Sequence, residues 1–240
     1  MVLAQARIET SLLLRNGEQL LLTLIIPLVL LLLLAGTDLV DVSGAESTQV
    51  ATAVAGVLTV AVMSSAFTGL AIATGFERRY GVLRRLAVTP LPRSALLLGK
   101  AIAVLVIEAV QLLLIVGVGL LLGWSGSASW PGVVLLVLVG TAAFAGLGML
   151  MAGTIRAEAT LAAANLIYVL LLVAGASVVP AERYPQAVQP LLHALPSGAL
   201  GEGLRSVIVD VGALPWGNLA VLLLWAVVGI GLAARFFRWE

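Results

Sequence analysis

The sequence predicts an all-α, polytopic membrane protein of six transmembrane helices with both termini on the cytoplasmic side. Three observations carry this. The 240-residue chain is 61% hydrophobic and only 10% charged, with a mean hydropathy of +1.15, whereas soluble domains are about a quarter charged. Its apolar residues run in blocks of about twenty, the length that crosses ~30 Å of hydrocarbon. Six of the thirteen Lys and Arg residues (Arg78, Arg79, Arg84, Arg85, Arg93 and Lys100) crowd into residues 76–100 between two such blocks. Moving that charge through hydrocarbon is prohibitive, so the basic island stays inside the cell and orients every other span. Composition also excludes chemistries. Without cysteine there is no disulfide, thiol or cysteine-metal site, and the single His193 lacks partners at metal-binding or catalytic spacing. A net charge of +1 carries no footprint of a nucleic-acid partner.

The elements follow as one transmembrane domain over residues 1–240. Residues 1–19 hold Arg7, Glu9, Arg15 and Glu18, too polar to span, with Gln5, Glu9 and Asn16 on one helical face; an interfacial helix on the cytoplasmic surface is expected. No short apolar core with a small-residue cleavage site precedes it, so no removable signal peptide is expected. Leu20 to Ala35 is the first span, with Pro27 tolerable inside a bundle. Gly36 to Gln49 carries Asp38, Asp41 and Glu46 without a basic residue and is read as external. Val50 to Gly75 is the second span, with Gly56 and Gly69 as points of close approach. Residues 76–98 form the cytoplasmic loop. Ala101 to Leu122 is the third span, followed by an external turn with Trp124 and Trp130 at interface depth. Val133 to Thr154 is the fourth, Ile155 to Glu158 a short internal turn, and Ala159 to Val179 the fifth. Residues 180–215 break the pattern: prolines and apolar pieces only about ten residues long predict external re-entrant helices. Trp216 to Ala234 is the sixth span. Eleven basic residues then lie inside, against only Arg183 and Arg205 outside. The absence of an internal repeat gives an inverted-repeat carrier no support.

The island has internal order. On a helical projection from Arg78, Tyr80, Val82, Leu83, Leu86 and Ala87 share one arc edged by arginines. Glu77 suits the start of such a helix, and Thr89-Pro90-Leu91-Pro92 stops it. Two readings stand together: a cationic anchor resting on anionic lipid, and a short amphipathic helix with an apolar face to offer.

The residues from Ser64 to Lys100, SSAFTGLAIATGFERRYGVLRRLAVTPLPRSALLLGK, resemble the permease subunits of type-2 ABC exporters, including the drug- and antibiotic-resistance branch. That family carries an E-R-x-x-G-x-L-x-x-L-x-x-T-P loop after its second span and a G-K opening its third. RNGEQLLLTLIIPL from Arg15, AAANLIYVLLL from Ala162 and LPSGALGEGLR ending at Arg205 are similar in the same order. The resemblance implies six spans forming half of a dimeric pore, its other half an identical or related chain. It implies a coupling helix docked on a separate ABC ATPase subunit, present in two copies, which binds the ATP and Mg. Carried onto this chain, the coupling residues are Glu77, Arg78, Arg79, Tyr80, Gly81, Leu83, Arg84, Arg85, Leu86, Thr89 and Pro90. The chain itself has no phosphate loop of the form G-x-x-x-x-G-K-[ST]: Ser94 stands where the first glycine is required and Ala101 follows Lys100. It is therefore expected to bind no cofactor and to catalyse no reaction. The resemblance places it in a bacterial plasma membrane.

Within the spans Glu108 is chemically odd. Eight residues from Lys100 puts it about 12 Å deep, where a carboxyl faces either a pathway or a hydroxyl of span two. Gln111 shares its face. Asn165 and Tyr168 read as interhelical hydrogen-bonding residues or pathway ligands, and Met63 and Phe67 as core packing or an adaptable apolar pocket. Three functions follow: the pore-forming subunit of an ATP-driven exporter for hydrophobic or amphipathic compounds such as drugs, antibiotics or lipids; a self-contained proton-coupled carrier using Glu108; and a membrane-embedded enzyme, disfavoured because no triad, HExxH or paired-carboxylate arrangement lies within the spans.

Overall fold

A computed structural model describes residues 2–15, 17–36, 46–87, 92–174 and 184–237. Asp38, Asp41, Thr89, Pro90, Glu182, Arg183 and Arg238 lie outside the described residues. Among those described the structure is helical, without strands. The first helices are α1 (Val2–Arg15), α2 (Gly17–Ala35) and α3 (Glu46–Val62), which runs through a π-helical segment, Met63–Gly69, into α4 (Leu70–Arg79). Then come α5 (Val82–Ala87), α6 (Arg93–Leu121), α7 (Trp130–Thr154) and α8 (Ala157–Ala174). The short α9 (Gln189–Ala194) and α10 (Pro196–Ile208) precede α11 (Trp216–Phe236).

Among the described residues, four helices are long and apolar enough to cross a membrane: Ser47–Arg79, Ala95–Leu121, Trp130–Thr154 and Trp216–Phe236. Two further apolar helices, Thr23–Ala35 and Ala157–Val173, are shorter among the described residues. The chain is thus a polytopic helical protein; the expected first and fifth spans correspond to these two shorter helices.

The core lies between α3, the π-helical segment, α7, α10 and α11, around Phe144, Met63, Leu136, Leu200 and Leu222, all of them fully buried. Helices α7 and α11 run parallel, because Gly146 meets Gly229 and Ile230 while Gly153 meets Phe237 seven residues further on. A Cβ at 146 would stand 2.7 Å from the Ile230 backbone nitrogen, so only glycine allows this approach. Gly148 brings α7 onto the π-helical segment, where a Cβ would lie 2.9 Å from the Phe67 carbonyl oxygen. Gly69, by contrast, abuts only the Ser64 carbonyl of its own segment and mediates no interhelical approach.

At the opposite end from the basic loop, α9 and α10 form a hairpin set into the bundle. The Trp225 indole donates to the Ala194 carbonyl at 2.9 Å, and the Asn218 amide donates to that of Ala199 at 3.0 Å. Leu200 packs on Gly140, Gly203 on Leu136, and Val207 on Gly132 beside the start of α7. The hairpin therefore reaches some ten residues down α7 and climbs back. Arg205, read as an external charge, is buried with Glu202 at 2.6 Å.

Gly146→Ala is expected to destabilise the bundle by about 1–3 kcal/mol through overpacking against backbone. Gly117→Ala, whose Cβ would meet nothing within 4 Å, should leave thermal unfolding of the detergent-solubilised chain unchanged.

Candidate functional site

The basic loop folds differently from one continuous helix. Helix α4 ends at Arg79; the Tyr80 N–H donates to Phe76 O at 2.9 Å and the Gly81 N–H to Arg78 O at 3.1 Å. Gly81 then adopts φ +70°, a left-handed conformation that costs glycine nothing and strains other residues. After that corner α5 starts afresh, with Arg85 N donating to Gly81 O at 3.1 Å. The expected arc is split accordingly. Leu83, read as a docking residue, is turned inward and fully buried, whereas Tyr80 (67% exposed), Val82, Arg84 and Arg85 face outward and Leu86 is half-buried.

Lys100 is the second departure. Counted with the solvated island, it is 3% exposed. Its ammonium lies 2.7 and 2.6 Å from the two oxygens of Glu77 on α4 and 3.1 Å from Glu9 Oε2 on α1. The Gln5 amide donates to the other Glu9 oxygen at 2.8 Å. Glu77 is thus no helix start but a carboxylate near the end of α4, holding a cation from α6. The approach of α1 depends on Gly99: a Cβ there would be 2.7 Å from Gln5 Cγ. Helix α1 consequently turns its Gln5–Glu9 face onto α6 and leaves Leu3, Ile8 and Leu12 exposed. A buried ammonium needs this: its desolvation is offset only when carboxylates occupy its donors.

The same end holds a cavity of about 400 Å³ walled by Arg78, Arg79, Arg84, Arg156 and Glu158. Arg78 donates to the Ile155 carbonyl at 2.5 Å, tying α4 to the turn between α7 and α8, and Arg79 pairs with Glu158.

The intramembrane candidates do not converge on one pocket. Glu108 is buried and accepts from the Thr141 hydroxyl of α7 at 2.5 Å, not from span two. Gln111, one turn on, makes the link to span two instead. Its carbonyl accepts from Ser65 at 3.1 Å, and its amide donates to the Thr23 carbonyl of α2 at 2.9 Å. Met63 and Phe67 are buried in the core. Asn165 faces out from α8, with its amide on the Leu161 carbonyl of its own helix. His193 is exposed on α9.

Sequence reasoning missed Glu9, Thr141 and Glu158 as partners. The available signals were the Gln5–Glu9 spacing of one helical turn and the Gly99-Lys100 pair at the start of a span.

Compared with known proteins, residues 37–235 match the family of ABC-2 family transporter proteins. The chain is 26% identical over 185 residues to YvfS of Bacillus subtilis (strain 168), which carries the name of a transport permease; the match covers 74% of this chain and 72% of that protein.

Lys100→Met should cost about 3 kcal/mol, because it leaves two carboxylates facing each other without their cation. Faster amide exchange confined to α1 and the end of α4 would report the loss. Adding Glu9→Gln and Glu77→Gln should recover most of the stability, since a neutral buried set carries no unpaired charge.

Proposed function

Because the chain belongs to the ABC-2 transporter family, whose members are membrane transport permeases and not enzymes in themselves, we propose that it is the pore-forming half of an ATP-driven exporter. A permease of this family pairs with an ABC ATPase subunit. In the proposal two copies of that subunit bind the ATP and Mg, and a second permease half, identical or related, completes the pore. Six spans sit in a bacterial plasma membrane with both termini in the cytoplasm, and the cargo is a hydrophobic or amphipathic compound such as a drug, antibiotic or lipid. The observation that supports this best is a short helix, α5, standing exposed at the basic end while its roots are held from inside.

The division of labour follows from burial. Tyr80, Val82, Arg84 and Arg85 form the face offered to the ATPase, and Leu86 flanks it. Leu83, Glu77 and Arg78 hold the knob to the bundle, Gly81 supplies the corner, and Thr89 and Pro90 end the segment. Arg79 joins α4 to α8 through Glu158. A displacement of α5 is then passed to α4, α6 and α1 through Glu77–Lys100–Glu9, as a rigid body and not as bending. In the proposal the path runs past the polar links of Glu108 and Gln111; Met63 and Phe67, buried in the core, and Asn165, bonded to its own helix, are assigned to packing.

A proton-coupled carrier is the second reading. It is favoured by Glu108 Oε1, a buried oxygen without a hydrogen-bond partner among the described residues.

Arg84→Asp with Arg85→Asp should weaken co-purification of the ATPase about a hundredfold, two charge-assisted contacts being reversed, with the helical content of the permease intact. Undiminished co-purification removes α5 from the interface. Glu108→Gln should slow ATP-dependent transport while assembly proceeds normally. Transport by the permease alone in proteoliposomes, driven by a pH gradient and abolished by the same substitution, would establish the carrier instead.

A further inference from the structure

Docking on an ATPase would use Arg84 but leaves the rest of the arginine cavity unaccounted for. Its walls come from the ends of two apolar helices, α4 and α8, as well as from α5. It gathers four guanidinium groups and one carboxylate into about 400 Å³. Glu158 is already paired with Arg79, and Arg84 and Arg156 form no ion pair among the described residues. Like charges this close repel unless an anion sits between them. The planar forks of guanidinium groups match the oxygens of a phosphate bidentately, as they do those of a carboxylate. Ala157, the first residue of α8, also lines the cavity, adding the positive end of an 18-residue helix. Beyond it, Leu161, Val169 and Val173 are exposed on the side of α8 that Glu158 begins, with Asn165 between them returning its amide to the Leu161 carbonyl. Charge at the mouth of a helix end and an aliphatic ridge running away from it is the pattern of a diacyl lipid: headgroup in the cavity, chains on the ridge. A soluble phosphate or an acidic peptide would have no use for the ridge.

We propose that this cavity seats the phosphate of an anionic phospholipid, bridging Arg84 of α5 to Arg156 at the start of α8. The proposal rests on the membrane placement of α8 given above but not on the ATPase interface. The lipid would complete the support of the coupling segment on the side away from Lys100.

The test uses the full chain alone, in nanodiscs of phosphatidylcholine with and without phosphatidylglycerol, followed by delipidation and native mass spectrometry. Phosphatidylglycerol is expected to be retained by the wild type and to raise its unfolding temperature. Arg156→Gln, at an exposed position, and Arg84→Gln should each lower retention about tenfold. Arg85→Gln, on the same short helix but outside the cavity, should retain the lipid, although it is expected to weaken ATPase docking. That contrast separates failure of this proposal from failure of the docking face. Equal retention by the Arg84 and Arg156 variants, or equal retention of phosphatidylcholine by the wild type, overturns the proposal. Stabilisation by inorganic phosphate without any by phosphatidylglycerol overturns it as well and marks the cavity as a soluble-anion site.

Discussion

A single buried ammonium organises the basic end of this protein. Lys100 cannot remain charged at 3% exposure without carboxylates on its donors, and the two that reach it come from different helices, Glu9 on α1 and Glu77 on α4. Three elements distant in sequence are thereby fixed to one atom. An exposed pair of this kind would be worth little, but here removing Lys100 leaves two carboxylates facing each other without their cation, so the three helices depend on that one side chain. Gly99 is its steric counterpart, since α1 reaches α6 only where the neighbouring residue has no side chain.

That knot gives the continuous helix of α3, the π-helical segment and α4 its mechanical character. Ser47–Arg79 spans 33 residues, roughly 50 Å at 1.5 Å per residue, well beyond ~30 Å of hydrocarbon. At its basic end Arg78 braces it on the Ile155 carbonyl and Glu77 on Lys100. Halfway along, the Leu70 N–H donates back to Ser65 O, the wider winding of a π-helix, and such segments concentrate at functional places in helices. Gln111 and Gly148 both meet the chain there, one through Ser65 and the other against Phe67 O. The long helix is thus clamped at its basic end and locally re-wound in its middle, directly beside the polar links of α6.

Hydropathy and charge clustering were sufficient to read the helical membrane architecture, because both are properties of contiguous stretches. The resemblance from Ser64 to Lys100 likewise led to the family that the match over residues 37–235 shows. What stayed hidden were partnerships across helices. Lys100 counts as one more solvated cation until Glu9 and Glu77 are brought to it, and Glu9 precedes the matched region altogether. A projection that ran a single helix from Arg78 to Ala87 placed Leu83 outside, because periodicity cannot anticipate that Gly81 resets the helical phase. Glu108 was recognisable as an intramembrane carboxyl, yet its partner lies 33 residues away in α7 instead of in span two. That Gln5 and Glu9 share one face of α1 was legible from their spacing; that this face turns onto α6 and Lys100 was not.

Under the proposed function, α1, α5 and the start of α6 travel as one body when nucleotide drives the complex. The chain contains no cysteine, so spin labels can be placed at Leu3→Cys and Val82→Cys, both exposed, in the permease assembled with its ATPase. Double electron–electron resonance between these labels should give the same distance in the nucleotide-free and ATP-bound states, while a label pair from Val82→Cys to Leu135→Cys on α7 changes. A distance from α1 to α5 that shifts with nucleotide while the α7 pair stays fixed would contradict the account.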